Sequence, residues 1–277
     1  MPRTAATVAG NPAAARPAVV EARGLCTGYG GTQVLFDLDL DVRDGEIMVI
    51  MGGSGSGKST LLRLLIGLEL PQAGHLRLLG HDISRLGPVE TLELRRKLGV
   101  AFQGGALFSS MNVAENIKLP LREHTKLDEA TMDIMARLKL EVVNLSGFGD
   151  LMPAELSGGM LKRAAIARAI VMDPKVLFFD EPSAGLDPIV SAALDELILR
   201  LREAMDMTII VVTHEVESAF TIADRITILD RGRILEVGTP DEVRNSGNPR
   251  IQDLLNRRST AQPVEPAAYL RRLTGDA

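Results

Sequence analysis

Apolar and polar positions along the chain follow three rhythms. Phe36-Asp37-Leu38-Asp39-Leu40-Asp41-Val42 alternates strictly, the two-residue period of a strand with one face on a core and the other in water, as antiparallel sheets allow. Short unbroken apolar runs predict strands buried on both faces: Ile47 to Met51, Val176 to Phe179, and Thr208 to Thr213, with a shorter run over Gly99 to Phe102. Helical periodicity covers Asp128 to Leu140 and Leu161 to Ile170. Near the end, Thr239-Pro240-Asp241-Glu242-Val243 carries the cap, proline and acid of a helix start, and Asn248 to Leu255 predicts another short helix.

The flanks lack these rhythms. Met1 to Pro17 is rich in Ala, Pro and Thr without a compact apolar stretch, which reads as a disordered tail and not a signal peptide. Structured sequence is expected from Ala18. Gln262 to Pro266 is linker-like, and Ala267 to Leu273, with Tyr269, Leu270 and Leu273, is enough for one docking turn or helix on a partner subunit. A content of 45% hydrophobic and 24% charged residues predicts a globular core. The formal net charge of −5, without a long Lys/Arg run, argues against a nucleic-acid partner. Cys26, the single cysteine, cannot form an internal disulfide and points to a reducing compartment. No stretch approaches the roughly 18 apolar residues of a membrane span, so any membrane role is expected to be peripheral.

Chemistry enters where the apolar runs end. The run to Met51 opens into Gly52-Gly53-Ser54-Gly55-Ser56-Gly57-Lys58-Ser59-Thr60, a P-loop. Its glycines let backbone N–H groups curl toward phosphates, and a helix starting near Lys58 adds its positive end. Lys58 is expected to reach the β- and γ-phosphates and Ser59 to ligate Mg²⁺. The second run ends in Asp180-Glu181, at the strand end where open α/β sheets hold ligands. Asp180 is then the Mg²⁺ carboxylate and Glu181 the group that polarises water. The third run ends in His214, the one histidine of four at a strand tip and the candidate sensor of the γ-phosphate. His75, His81 and His124 are assigned surface or packing roles. Asp37, Asp39 and Asp41 share a strand face without a Gly-containing calcium loop, and read as a solvated face and not as a metal site.

Glu155-Leu156-Ser157-Gly158-Gly159-Met160 precedes the helical segment from Leu161. Ser157 suits a helix cap, and its hydroxyl with the Gly158 and Gly159 amides offers another anion site. Here the chain resembles the ABC ATPase family, whose signature is usually L-S-G-G-Q, and the resemblance extends from Val19 to Gly238. It implies an α/β P-loop fold, with a mixed sheet core, an antiparallel β subdomain and an inserted helical subdomain. The implied organisation is a tail at 1–17, an ATPase domain at 18–246 holding the helical subdomain at about 104–156, and a C-terminal extension at 247–277.

The resemblance also implies roles. Tyr29, in Leu25-Cys26-Thr27-Gly28-Tyr29-Gly30, would stack on adenine; Gln103 would touch Mg²⁺ or water and move with a permease; Ser183 to Asp187 would cross a dimer interface. Two copies would hold two ATP molecules, each between the P-loop of one subunit and Ser157, Gly158 and Gly159 of the other. Met160 departs from the signature's usual Gln. Together with Gly104 to Val113, Leu119 to Thr125 and Leu151 to Met160, it makes the chain similar to the ATPases of Mla/Mce-type lipid transporters. That likeness implies a phospholipid cargo, an integral membrane permease, a periplasmic Mce-domain subunit, and a peripheral place on the cytoplasmic face of the inner membrane. An ATPase of an importer for amino acids or other small solutes would share every catalytic motif. A soluble ABC ATPase would share the chemistry but show tandem cassettes, a long coiled-coil insertion or basic patches.

Overall fold

In a computed structural model, which describes residues 16–256, the strand rhythms separate into two sheets. In chain order the strands are β1 (Ala18–Tyr29), β2 (Thr32–Arg43), β3 (Ile47–Met51), β4 (Ala73–Leu78), β5 (His81–Asp82), β6 (Leu98–Ala101), β7 (Val176–Asp180), β8 (Thr208–Thr213), β9 (Arg225–Asp230) and β10 (Arg233–Gly238). The helices are α1 (Lys58–Leu65), α2 (Pro88–Arg95), α3 (Val113–His124), α4 (Glu129–Val142), α5 (Gly158–Ala169), α6 (Pro188–Met205), α7 (Val216–Ile222), α8 (Pro240–Arg244) and α9 (Pro249–Leu255). The expected tail, up to residue 15, and the segment from Gln262 to Leu273 lie outside the described residues.

One sheet is antiparallel in the order β2-β1-β4-β5; the other runs β10-β9-β3-β8-β7-β6. In the second, β9, β3, β8, β7 and β6 are parallel and β10 is antiparallel to β9. The continuous apolar runs are explained by what covers this sheet. Ile47, Val49 and Met51 of β3 pack with Leu177, Phe179, Ile209 and Val211 and with buried side chains of α3 to α7. Met48 and Ile50 face the other way, with Phe178, Ile210 and Val212, toward α1 and the antiparallel sheet. Both faces of the strands are thus dry, and the sheet is the middle of three layers.

Two elements depart from the simple patterns. The alternation in β2 carries a bulge: Leu35 and Leu38, three residues apart, are both buried, Asp37 turns to φ 50°, and the pairing with β1 shifts register between Leu25↔Leu38 and Thr27↔Leu35. One extra residue is absorbed there, keeping the apolar set inward on both sides. Two acids of this strand have partners: Asp39 accepts from the Gly24 N–H at 2.8 Å and Asp41 from Arg225, on the other sheet, at 3.1 Å. The second departure is α3, which continues through Pro120 although proline removes a backbone bond. Its start is fixed by an Asn112–Glu115 capping box, and Val113, Ile117 and Leu121 are fully buried. Tertiary burial there outweighs the local penalty.

Candidate nucleotide site

The phosphate loop is shaped by residues that tolerate no side chain. A Cβ on Gly52 would overlap the Leu229 carbonyl oxygen, and Gly57, at φ 105°, caps α1 in the left-handed region, where an added Cβ would run into Leu35. These constraints curl residues 52–57 between the end of β3 and the first turn of α1. Lys58 is buried, and its Nζ donates to the Gly52 and Gly53 carbonyls at 2.7 and 3.1 Å. Burial lowers its pKa, opposed by the charges of Glu181 and Asp180; a poorly hydrated ammonium favours an incoming anion. Ser56 Oγ is buried without a partner, while Ser54, Gly55 and Ser59 are exposed and Gly53 and Thr60 half-buried.

Asp180, Glu181 and His214 end β7 and β8, and β8 lies beside β3. Burial raises the Asp180 pKa, as does the adjacent Glu181, against the pull of Lys58. A cation placed here would offset both effects. Among the described residues no group of three His, Cys, Asp or Glu side chains could hold a metal by itself. Mg²⁺ in phosphate sites takes one or two carboxylates plus phosphate oxygens, and Asp180 beside the loop fits that need.

Glu181 is constrained in both backbone and side chain. Its φ is 49°, in the left-handed region, and Pro182 follows it; both conditions are unfavourable for a non-glycine residue. Its N–H donates to the Val212 carbonyl at 2.8 Å. Its Oε2 accepts from Thr213 Oγ1 at 3.2 Å, the His214 N–H at 3.3 Å and His214 Nδ1 at 2.8 Å. The imidazole thus stands between two carboxylates, with Nδ1 against Glu181 and Nε2 3.5 Å from Glu215 Oε1.

Tyr29 is 44% exposed and donates through its hydroxyl to Glu69 at 2.5 Å. Gln103 is exposed just past β6, the edge strand next to β7. Ser157 caps α5, accepting from the Met160 N–H at 3.3 Å, with Gly158 exposed and Gly159 half-buried. Ser183 Oγ is buried without a partner, and Asp187 caps α6.

Three supporting groups escaped the sequence reading. Thr213 looked like one more apolar-run residue. Lys162 donates to the Glu181 carbonyl at 3.0 Å, and Arg168 to the carbonyls of Gly105 and Ala106 at 2.9 and 2.7 Å. Both lie in a helix whose pattern signalled only a helix.

Residues 35–184, which carry the phosphate loop, the Ser157 cap and the Asp180-Glu181 strand end, match the ABC transporter family. The chain belongs to the ABC ATPase family. It binds and hydrolyses ATP as the ATP-binding subunit of a transporter. It is 44% identical over 230 residues to the intermembrane phospholipid transport system ATP-binding protein MlaF of Haemophilus influenzae, covering 83% of this chain and 87% of that one. With MlaF of Escherichia coli K12 the identity is 41%, over 82% and 84%. It is also 41% identical to the probable ribonucleotide transport ATP-binding protein mkl of Mycobacterium leprae, over 86% of this chain and 69% of that one. Among solved structures, cbiO1 of Clostridium perfringens, part of the ABC transporter complex cbiONQ, superposes with a TM-score of 0.76 at 28% identity, covering 92% of this chain and 99% of that one. A dimeric ATP-binding cassette in a post-hydrolysis state, bound to ADP and Pi, gives 0.73 at 29%, covering 80% and 98%. Among the described residues no helix is long and apolar enough to cross a membrane.

Proposed function

We propose that this ABC ATPase powers phospholipid transport between the membranes of a bacterial envelope. The observation that carries the cargo is its 44% identity with a phospholipid-transport ATPase, spanning 87% of that protein. The assembly would comprise two copies of this chain, an integral membrane permease and an Mce-domain lipid-binding subunit, with the ATPases peripheral on the cytoplasmic face. Exposed Leu68, Leu70 and Val89, with Phe102 and Phe108 on either side of Gln103 in sequence, are apolar surface suited to receiving the permease. The helical segment at 104–156 would share that docking.

In the working dimer each ATP would lie between one subunit's phosphate loop and the Ser157, Gly158 and Gly159 groups of the other. Backbone N–H groups of residues 52–60 and Lys58 would hold the phosphates, and Tyr29 would turn its exposed ring to adenine. Ser59, Asp180 and Gln103 would hold Mg²⁺, which supplies charge neutralisation on the β- and γ-phosphate oxygens. Glu181 would take hydrogen bonds from the attacking water, while His214 fixes the carboxylate and faces the γ-phosphate. Loss of that phosphate removes the bridge between subunits and lets them part.

The test is to tag the native protein, solubilise membranes gently, and identify what copurifies in an ATPase-active complex. An Mce-domain protein with bound phospholipid is the expected result. The name of the mycobacterial relative favours ribonucleotide as a second cargo, and recovery of a solute permease without an Mce partner would move the assignment there.

A further inference from the structure

We infer that Lys162 is a positioning residue for Glu181, tying the helix that begins at Ser157 to the carboxylate of the same subunit. The inference rests on the reading of Glu181 as the residue that prepares water.

Lys162 lies on the second turn of α5, five residues after the Ser157 cap. The residue is 9% exposed, and its Nζ donates to the Glu181 main-chain carbonyl at 3.0 Å. A buried ammonium is costly without good acceptors; burial lowers the Lys162 pKa and the Glu181 charge opposes this. Such a lysine is poorly explained as surface solvation.

What it holds is a peptide that local preferences disfavour. Glu181 is left-handed and precedes proline, so its backbone persists only where surrounding contacts determine it. The N–H side is fixed by Val212. On the carbonyl side stand the Ala184 N–H, at 3.3 Å, and Lys162, the shorter and charge-assisted of the two. Without Lys162 the carbonyl can rotate, and the side chain aimed at His214 moves with it.

The placement on α5 adds a consequence. In the proposed dimer Ser157 to Gly159 touch the nucleotide of one site, whereas Glu181 of the same subunit serves the other. One rigid turn of helix separates them, so capture of ATP at the first site bears on the geometry of the carboxylate at the second.

The experiment uses the full chain with Lys162→Met, which keeps the stem and removes the donor, and Lys162→Arg, which keeps a charged donor. Steady-state turnover, nucleotide affinity by fluorescent ATP titration, and ATP-dependent dimerisation in a Glu181→Gln background are measured for each. Lys162→Met is expected to lower kcat about tenfold or more, with affinity within about twofold and the ATP dimer still formed; Lys162→Arg should recover most of the turnover. Turnover within about twofold of wild type in Lys162→Met overturns the inference. So does a parallel loss of affinity or dimerisation, or a Lys162→Arg variant as impaired as Lys162→Met. Glu181→Gln alone separates the two readings: if it hydrolyses ATP normally, the role of Glu181 fails; if it is inactive while Lys162→Met is unaffected, only the role of Lys162 fails.

Discussion

His214 Nδ1 lies 2.8 Å from Glu181 Oε2, joining the tips of β8 and β7 in one hydrogen-bonded unit. The bond orients the imidazole and aims a carboxylate whose backbone is already constrained. His214→Ala should therefore lower kcat by about 10²-fold or more while leaving ATP affinity within a few-fold. Rapid-quench hydrolysis and nucleotide titration separate the two effects, and unchanged kcat would contradict the paired role.

Lys58 closes the loop on itself through the Gly52 and Gly53 carbonyls and is poorly hydrated. Lys58→Ala should weaken nucleotide binding by about tenfold or more, because it removes both the loop's clasp and the charge that meets phosphate. Equilibrium binding of a fluorescent ATP analogue checks this directly.

Gly52 has no room for a methyl group between the Leu229 carbonyl and Ser56. Gly52→Ala should cost about 1–3 kcal/mol of stability through overpacking, seen as a lower Tm without nucleotide, in addition to its effect on binding. A Tm equal to wild type would mean the loop is looser than its packing indicates.

Glu129 connects α4 to α3, accepting from Lys118 and Arg122, both at 2.5 Å. Those hydrogen bonds, first from Arg122 and then from Lys118, hold its pKa at about 2, below the ordinary 4.5. A depressed carboxyl pKa stabilises the fold above the unfolded value and is lost as pH falls through the folded one. The Tm difference between wild type and Glu129→Gln should thus be present at pH 6 and shrink as pH falls between about 4.5 and 2. The group is solvent-exposed, so the difference should be small and weaken with salt. A difference that grows with acid would reverse the assigned sign.

Much of this site was legible because its chemistry sits at the ends of apolar runs. Lys58, Asp180, Glu181 and His214 each follow a strand buried on both faces, and parallel strands put such ends on one edge. The capping boxes at Asn112 and Thr239 differed in legibility. The second was visible as Thr-Pro-Asp-Glu, whereas the first belongs to a helix that Pro120 argues against and that only burial of Val113, Ile117 and Leu121 explains. The bulge at Asp37 was hidden because strict alternation from Phe36 to Val42 carries no trace of the buried Leu35 upstream. Lys162 and Arg168 could not be read as supports. A lysine or arginine on an exposed helix face has the same local sequence as one that reaches a carbonyl, and only the tertiary arrangement of α5 against β7 and the segment after Gln103 separates the cases.

The most direct test of the account is ATP-dependent transfer of labelled phospholipid between donor and acceptor membranes by the native complex, compared with one carrying Glu181→Gln. Transfer should require ATP in the wild type and fall to background in the variant, with nucleotide still bound. Transfer by the variant at the wild-type rate would contradict the role of Glu181. ATP hydrolysis by the wild-type complex without any phospholipid transfer would contradict the proposed cargo.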